Sequence, residues 1–81
     1  IYVESIKDYI RIHTTSERVV TKDRLSDFEM KLPHTFLRTH RSYMVNTTKI
    51  TAFTAVDVEI GTQEIPIGAS YKEQVLAFLK Q

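Results

Sequence analysis

Four side chains that can donate to an anion or carry a proton stand between two apolar patches in the segment FLRTHRSYMVN, residues 36–46. They are Arg38, His40, Arg41 and Ser42. In one continuous strand, side chains would alternate between two faces, and neither face of this segment would then be apolar. A break at residues 40–42 with a short strand on each side removes that conflict. The sequence therefore predicts a turn here, with Arg41 at the rim of a sheet.

The charge around this turn favours a phosphate partner. The whole chain carries a net charge of only +1, yet no acidic residue lies between Glu29 and Asp57. The same stretch contains four basic residues, Lys31, Arg38, Arg41 and Lys49. Carboxylates near a nucleic-acid backbone oppose the gain from counterion release, so an acid-free basic block is typical of a phosphate-binding surface. An ordinary solvated basic face is the alternative.

No arrangement typical of an enzyme accompanies these residues. The chain has three histidines, His13, His34 and His40. Their spacing does not match a metal site, so each is expected at the surface or in a cap. Ser42 lies near His40, but the serine lacks a glycine elbow and an orienting acid. Gly61 and Gly68 are the only glycines, which excludes a glycine-rich phosphate loop. The sequence therefore predicts no catalysis, no metal site and no cofactor.

The elements that position these residues are mostly short strands in a single domain. A chain of 81 residues is large enough for one core only. Six short segments have the alternation and turn boundaries typical of strands: IYVES, YIRIHT, RVVTK, KITAFT, VDVEI and EIPI. YIRIHT and RVVTK are expected to form a hairpin around TTSE. The chain begins inside a predicted strand without an initiator Met, so we expect it to be a piece of a longer protein.

Two short helices are predicted, at about 26–32 and about 71–80. Each begins with the spacing of a capping box, in which two side chains bond the free amides of the first turn. The two pairs are Ser26 with Glu29 and Ser70 with Glu73. Pro33 is expected to end the first helix. One side of the second helix is formed by Tyr71, Val75, Phe78 and Leu79.

The chain contains no cysteine and no apolar run long enough for a membrane span. The absence of cysteine excludes a disulfide framework and fits a reducing cytoplasm.

Three segments in the same order and spacing identify a family: IYVESIKDYIRI, RLSDFEMKLPHTFLRTHRSYMVNTTKI and IPIGASYKEQVLAFL. Together they resemble the LytTR DNA-binding domain of bacterial response regulators over nearly the whole chain. The part LPHTFLRTHRSYMVNTTKI is similar to the family's signature almost position for position. The resemblance implies a mainly β fold, an elongated arrangement of small antiparallel sheets with two short helices, as a single domain over residues 1–81. The family usually has one or two strands before the equivalent of IYVES, so this chain is expected to lack leading strands.

The resemblance also implies which residues contact DNA. In the LytTR family, loops on one side of the domain enter successive major grooves, and the H-R-S corner points at the DNA. Arg41 is therefore expected at a base edge, where a guanidinium matches the O6 and N7 acceptors of guanine. The full set of expected DNA contacts is Lys7, Tyr9, Arg38, His40, Arg41, Ser42, Ser70 and Lys72.

Structural alternatives remain open for most of this set. Around the Arg41 corner, Arg38 either steers DNA or pairs with an acid elsewhere, and His40 either contacts a phosphate or braces the turn through the backbone. Ser42 has the same two alternatives, and Asn46 is expected to tie the backbone.

At the other two corners, Lys7 is a phosphate candidate, and Tyr9 either contacts a base or sugar or packs at a hairpin end. Ser70 is expected first as a helix cap, whose free amides also attract phosphate, and Lys72 adds charge there. The family often has a basic residue just after the position of Ile67, where this chain reads Gly68, Ala69 and Ser70. A base contact at this corner is therefore not expected.

The implied function is sequence-specific binding of double-stranded DNA as the output domain of a two-component transcriptional response regulator in the bacterial cytoplasm. The implied partners are paired DNA repeats in promoters, a phosphorylated receiver domain upstream, and a second copy in a homodimer on DNA; a membrane is not among them. One alternative is a protein-interaction module that uses the basic Arg38–Lys49 block against an acidic partner. Another is a binder of single strands, which would need exposed aromatic residues on one sheet face; Phe36, Tyr43 and Phe53 are instead expected in the core.

Overall fold

Two antiparallel sheets form most of the domain. The computed structural model describes residues 1–80. Five strands form the first sheet: β1 Tyr2–Ile6, β2 Tyr9–His13, β3 Arg18–Lys22, β4 Phe36–His40 and β5 Tyr43–Asn46. Three form the second: β6 Ala52–Phe53, β7 Asp57–Ile60 and β8 Gln63–Pro66. The spatial orders are β3-β2-β1-β5-β4 and β6-β7-β8, and the extents are 33 × 26 × 21 Å. The mainly β fold predicted from the sequence is confirmed.

Tight turns join several neighbouring strands, as the apolar alternation predicts. Ile6 pairs with Tyr9, so residues 7 and 8 alone form the turn between β1 and β2. β2 and β3 form the predicted hairpin, with Tyr9 opposite Lys22. β1 also pairs with β5, which is distant in sequence. This pairing places the turn before β5 beside the end of β1.

The two faces of the five-stranded sheet pack into two separate apolar cores. One face packs against the three-stranded sheet and the helix α2, Lys72–Leu79. The buried residues of this first core are Tyr2, Val45, Val58, Ile60, Ile65, Ile67 and Val75. The other face is covered by the helix α1, Leu25–Glu29, and the buried residues of this second core are Val3, Ile10, Leu25 and Met44. Because side chains alternate along a strand, the neighbours Tyr2 and Val3 enter different cores.

The first helix differs from its prediction at both ends. It begins at Leu25, one residue before Ser26, and Arg24 is the N-cap without a side-chain hydrogen bond. The predicted Ser26 capping box is therefore wrong. Burial of Leu25 in the second core draws the helix start forward, and the Arg24 carbonyl accepts from the amides of Asp27 and Phe28. The helix ends at Glu29, although Leu32 beyond it still packs against the same core.

The second helix also lacks its predicted cap. A 3₁₀ turn, Ala69–Tyr71, precedes α2. Ser70 lies inside this turn, and no side chain caps α2. The prediction of Ser70 as a cap is therefore wrong, because packing of Tyr71 against the first core sets the helix start. Val75 is buried and Leu79 packs beside it, but Phe78 is 38% exposed.

The predicted break in residues 36–46 is confirmed, and a β-bulge accompanies it. Arg38 pairs with Met44, whereas His40 pairs with Tyr43, so the register shifts at Thr39. Thr39 is fully buried, and its hydroxyl is unpartnered among the described residues. A bulge shifts the faces that the following side chains occupy. It therefore resolves the mixed polarity that a continuous strand would have.

Two expectations about ring side chains are wrong. His13 is not a surface or cap residue: its ring stacks on Tyr2 with centroids 4.2 Å apart, and its Nε2 lies 2.7 Å from Glu4 Oε1. Phe53 is 39% exposed, because the two-residue strand β6 lies at the edge of its sheet. Phe36 and Tyr43 do pack against the cores.

The longest α-helix in residues 1–80 has eight residues, and none of the described helices is long and apolar enough to cross a membrane.

Candidate nucleic-acid interface

The two turns predicted to contact DNA lie at the same end of the five-stranded sheet. β1 is antiparallel to both β2 and β5, so the turn after β1 and the turn before β5 meet at one end. The Ser5 amide donates to the Ser42 carbonyl over 2.7 Å, just before the turn at residues 7 and 8. Sheet topology therefore brings together two segments that are more than thirty residues apart in sequence.

Arg38 contacts protein groups at the base of the turn formed by Arg41 and Ser42. Its Nε donates to the carbonyl of His40 over 2.9 Å, and its Nη2 donates to the carbonyl of Arg41 over 2.6 Å. Its Nη1 donates to Glu29 Oε1 over 2.9 Å. Of the two alternatives, pairing with a distant acid is confirmed.

His40 supports the same turn from the other side. The Ser42 amide donates to His40 Nδ1 over 3.1 Å. His40 Nδ1 is therefore the acceptor in this hydrogen bond, and Nε2 is the ring nitrogen left to contact other groups. The ring also meets Tyr43 edge to face, with centroids 5.7 Å apart. The expected backbone brace by His40 is confirmed. Asn46 likewise ties the backbone, since its Oδ1 accepts from the Thr48 amide over 3.1 Å.

Arg41 is exposed at the tip of this turn. In the described part of the chain, its guanidinium belongs to none of the four ion pairs. Its carbonyl is held by Arg38, but its side chain is available to solvent. A guanidinium in this position retains the planar fork of donors that matches a phosphate or the edge of guanine.

The turn after β1 presents Lys7 in an unusual backbone conformation. Lys7 has a φ of 54° and is exposed. This is the left-handed region, which costs a non-glycine residue roughly 1–2 kcal/mol. Tyr9 begins β2 and is 49% exposed. It stands at the hairpin end with about half of its surface accessible to a partner.

The third corner, residues 68–72, lies against β4. The Gly68 amide donates to the Thr39 carbonyl over 2.8 Å. A side-chain carbon at Gly68 would come within 3.3 Å of the His40 ring, so glycine permits this close approach. Ser70 and Lys72 are exposed beyond it. All three predicted corners are therefore connected to the same end of the five-stranded sheet.

Two basic residues at this end were absent from the sequence prediction. Lys22 ends β3 opposite Tyr9, and Arg24 follows shortly after. Both are exposed and line a shallow depression with Lys7. The depression also contains three carboxylates, Asp8, Asp23 and Asp27. The register of the β2–β3 hairpin was the signal that could have placed Lys22 near the Lys7 turn.

A polar cluster surrounds Glu4 on the face of the sheet that meets the first core. Arg11 Nη1 and His13 Nε2 lie 3.2 Å and 2.7 Å from Glu4 Oε1. Burial raises the pKa of Tyr43 above its usual 10.0, and the negative charge of Glu4 raises it further. The pKa of Tyr2 is raised by the same two causes. This cluster joins β1 to β2 on that face of the sheet.

Within residues 1–80, no group of three His, Cys, Asp or Glu side chains is arranged to hold a metal ion.

Comparison with known proteins identifies a family and a similar fold. A family model of the LytTr DNA-binding domain matches residues 1–80. Among solved structures, the chain is similar to the LytTr DNA-binding domain of a protein from Bacillus cereus, described as a methyl-accepting/DNA response regulator, with a TM-score of 0.86 and 25% sequence identity. That match covers 99% of this chain and 80% of the other. No curated protein matches the chain.

Proposed function

The chain belongs to the LytTr DNA-binding domain family, and on that premise we propose that it binds double-stranded DNA sequence-specifically as the output domain of a two-component transcriptional response regulator. The family is defined by DNA binding and not by catalysis, which fits a chain that is not an enzyme. The proposal is supported most by one observation. Within residues 1–80, Arg41 is exposed and forms no ion pair, and the backbone of its turn is held by neighbouring side chains.

The contacts at the three corners divide into base and phosphate contacts. Arg41 reads a base edge in the major groove, since its fork is free and its backbone is fixed. Lys7 and Lys72 contact phosphates, because both are exposed and flank Arg41 from separate corners. The Nε2 of His40 and the hydroxyls of Ser42, Ser70 and Tyr9 are the additional donors at these corners.

The wider assembly follows from the same proposal. A bacterial, cytoplasmic regulator of this type carries a receiver domain whose phosphorylation promotes pairing of two output domains. Each domain of the homodimer then occupies one of two repeats in a promoter, with its turns in the major groove. Two copies on paired repeats double the number of base contacts and so raise specificity.

Selection from a randomised pool of duplex DNA tests the DNA contact. We expect the wild-type domain to enrich a motif, and Arg41→Ala to lose preference at particular base pairs while keeping weak, salt-sensitive binding. Arg18→Ala is the matched control: it removes the same charge from an exposed arginine at the opposite end of the sheet. We expect this variant to enrich the wild-type motif.

Two outcomes contradict the proposal. If the wild-type domain retains no duplex even at low salt, the domain does not bind DNA on its own and the proposal fails. If Arg41→Ala and Arg18→Ala enrich the same motif as the wild type, Arg41 does not read bases.

A further inference from the structure

The guanidinium of Arg38 has little freedom to contact DNA. Its side chain is only 18% exposed. Three of its nitrogens donate within the chain, to the carbonyls of His40 and Arg41 and to the carboxylate of Glu29. The central carbon of the guanidinium, Cζ, also lies 5.9 Å from the centre of the Tyr71 ring. One side chain thus joins α1, the turn at Arg41 and the corner at Tyr71.

The turn at Arg41 and Ser42 needs such support because its backbone conformation is disfavoured for a hairpin of this length. His40 pairs with Tyr43, so this is a hairpin with two loop residues. The favoured turns of that length have a residue with positive φ, since their twist then matches that of the strands. Neither Arg41 nor Ser42 has a positive φ. Side-chain hydrogen bonds to the turn carbonyls compensate for this disfavoured conformation.

We propose that Arg38 is a positioning residue that fixes the turn carrying Arg41, and that Glu29 orients Arg38 in this role. This inference rests on the proposed function, because the contact that Arg38 positions is the base contact of Arg41. Arginine suits the role: its rigid planar fork donates in three directions at once, whereas the lysine ammonium is a point charge on a flexible stem. A turn held before binding loses less conformational entropy on binding.

Replacement of Glu29 separates positioning from direct contact, because the two roles predict opposite signs. If Arg38 contacted a phosphate, Glu29→Gln would remove a competing negative charge and tighten DNA binding. If Glu29 orients Arg38, the same substitution weakens specific binding roughly two- to fivefold, the value of a partly exposed pair. The matched control is Glu17→Gln, an exposed carboxylate in the turn at the other end of the sheet. We expect this control to leave specific binding unchanged or slightly tighter.

Replacement of Arg38 itself tests the role of its fork. We expect Arg38→Lys and Arg38→Gln to lose specific affinity alike, by roughly tenfold or more, because neither reproduces the planar fork that donates to both turn carbonyls and to Glu29 at once. The dependence of binding on salt should stay as in the wild type. A lost phosphate contact would instead lower its slope by about 0.9, and Arg38→Lys would then restore most of the affinity.

A measurement without DNA covers the case in which an Arg38 variant is unstable. Amide hydrogen exchange of the Ser42 amide, which donates to His40, should accelerate in Glu29→Gln but not in Glu17→Gln. Glu29 is 42% exposed, so its replacement should leave the fold intact.

The outcomes distinguish the two proposals. If the wild type selects no duplex motif, the proposed function fails, and the exchange experiment alone then decides whether Arg38 positions the turn. If the wild type selects a motif but Glu29→Gln tightens binding, or Arg38→Lys behaves as the wild type, the positioning role is wrong.

Discussion

Two hairpin turns of equal length stand at the same end of the sheet but are built differently. The turn at Arg41 and Ser42 is held by hydrogen bonds from Arg38 and to His40. The turn at Lys7 and Asp8 instead takes a left-handed residue, with φ 54° at Lys7, and is exposed. The first turn holds its shape through surrounding side chains, and the second through its own backbone.

This difference corresponds to two kinds of DNA contact. A base edge requires fixed donor directions, so its reader benefits from a turn whose orientation is set before binding. A phosphate requires a positive charge within reach, so a flexible lysine on an exposed turn is sufficient. We therefore expect the two turns to respond differently to the same change in side-chain chemistry.

Exchange of one cation for another should have its largest effect at the Arg41 turn. We expect Arg41→Lys to lower discrimination at one base pair by about 1–3 kcal/mol, because a lysine cannot make the two parallel hydrogen bonds of arginine. The slope of affinity against salt should be unchanged, since the charge remains. Competition between matched and single-mismatch duplexes measures this, with Arg18→Lys as the control. Equal discrimination by wild type and Arg41→Lys would mean that the turn supplies charge only.

Removal of charge should be the dominant effect at the Lys7 turn. We expect Lys7→Gln to make the slope of log affinity against log salt shallower by about 0.9, the loss of one phosphate contact. Base preferences should not change. The control is Lys49→Gln, because Lys49 is exposed and follows β5 at the opposite end of the sheet. A changed motif in Lys7→Gln would place Lys7 at a base and remove the distinction between the turns.

Relief of backbone strain at Lys7 should separate stability from binding. The turn between β7 and β8 also has two loop residues, and there Gly61 takes the first position with φ 62°. We expect Lys7→Gly to raise the free energy of unfolding by up to about 1 kcal/mol, because glycine removes the left-handed penalty. DNA affinity should fall as in Lys7→Gln.

Chemical denaturation tests this effect, with Asp8→Gly as the control. Asp8 does not have a positive φ, so glycine there adds only chain entropy and should destabilise the domain by roughly 0.5–1 kcal/mol. If Lys7→Gly is destabilised to the same extent, the turn at Lys7 stores no strain.

Local sequence patterns predicted the strands and turns well, and long-range contacts poorly. The mixed polarity of residues 36–46 identified the turn at Arg41, and alternation identified the β2–β3 hairpin, because pairing between adjacent strands depends on residues close in sequence. The partner of Arg38 was not identifiable from the sequence, because no acidic residue lies near Arg38 along the chain. In the fold, α1 brings Glu29 close enough to pair with Arg38.

The helix caps were wrong for a related reason. Capping-box spacing is a local signal, whereas burial of Leu25 and packing of Tyr71 against the cores decided where the helices begin. Tertiary contacts therefore overrode the local signal at both helix starts.

The smallest of these effects is expected from alkaline pH, and it involves a residue that follows the Arg41 turn. Tyr43 follows the Arg41 turn, and burial, then Glu4, raises the pKa of its phenol above 10.0. Above that pH the unfolded chain releases a proton that the folded chain retains, so stability falls as pH rises. Tyr43→Phe should therefore flatten the decline in unfolding free energy that begins near pH 10.0 and continues above it. In Tyr43→Phe, part of the decline in unfolding free energy should remain, because the pKa of Tyr2 is also raised. An unchanged decline in Tyr43→Phe would mean that Tyr43 titrates alike in the folded and unfolded chain, and that its ring does not link alkaline pH to the Arg41 turn.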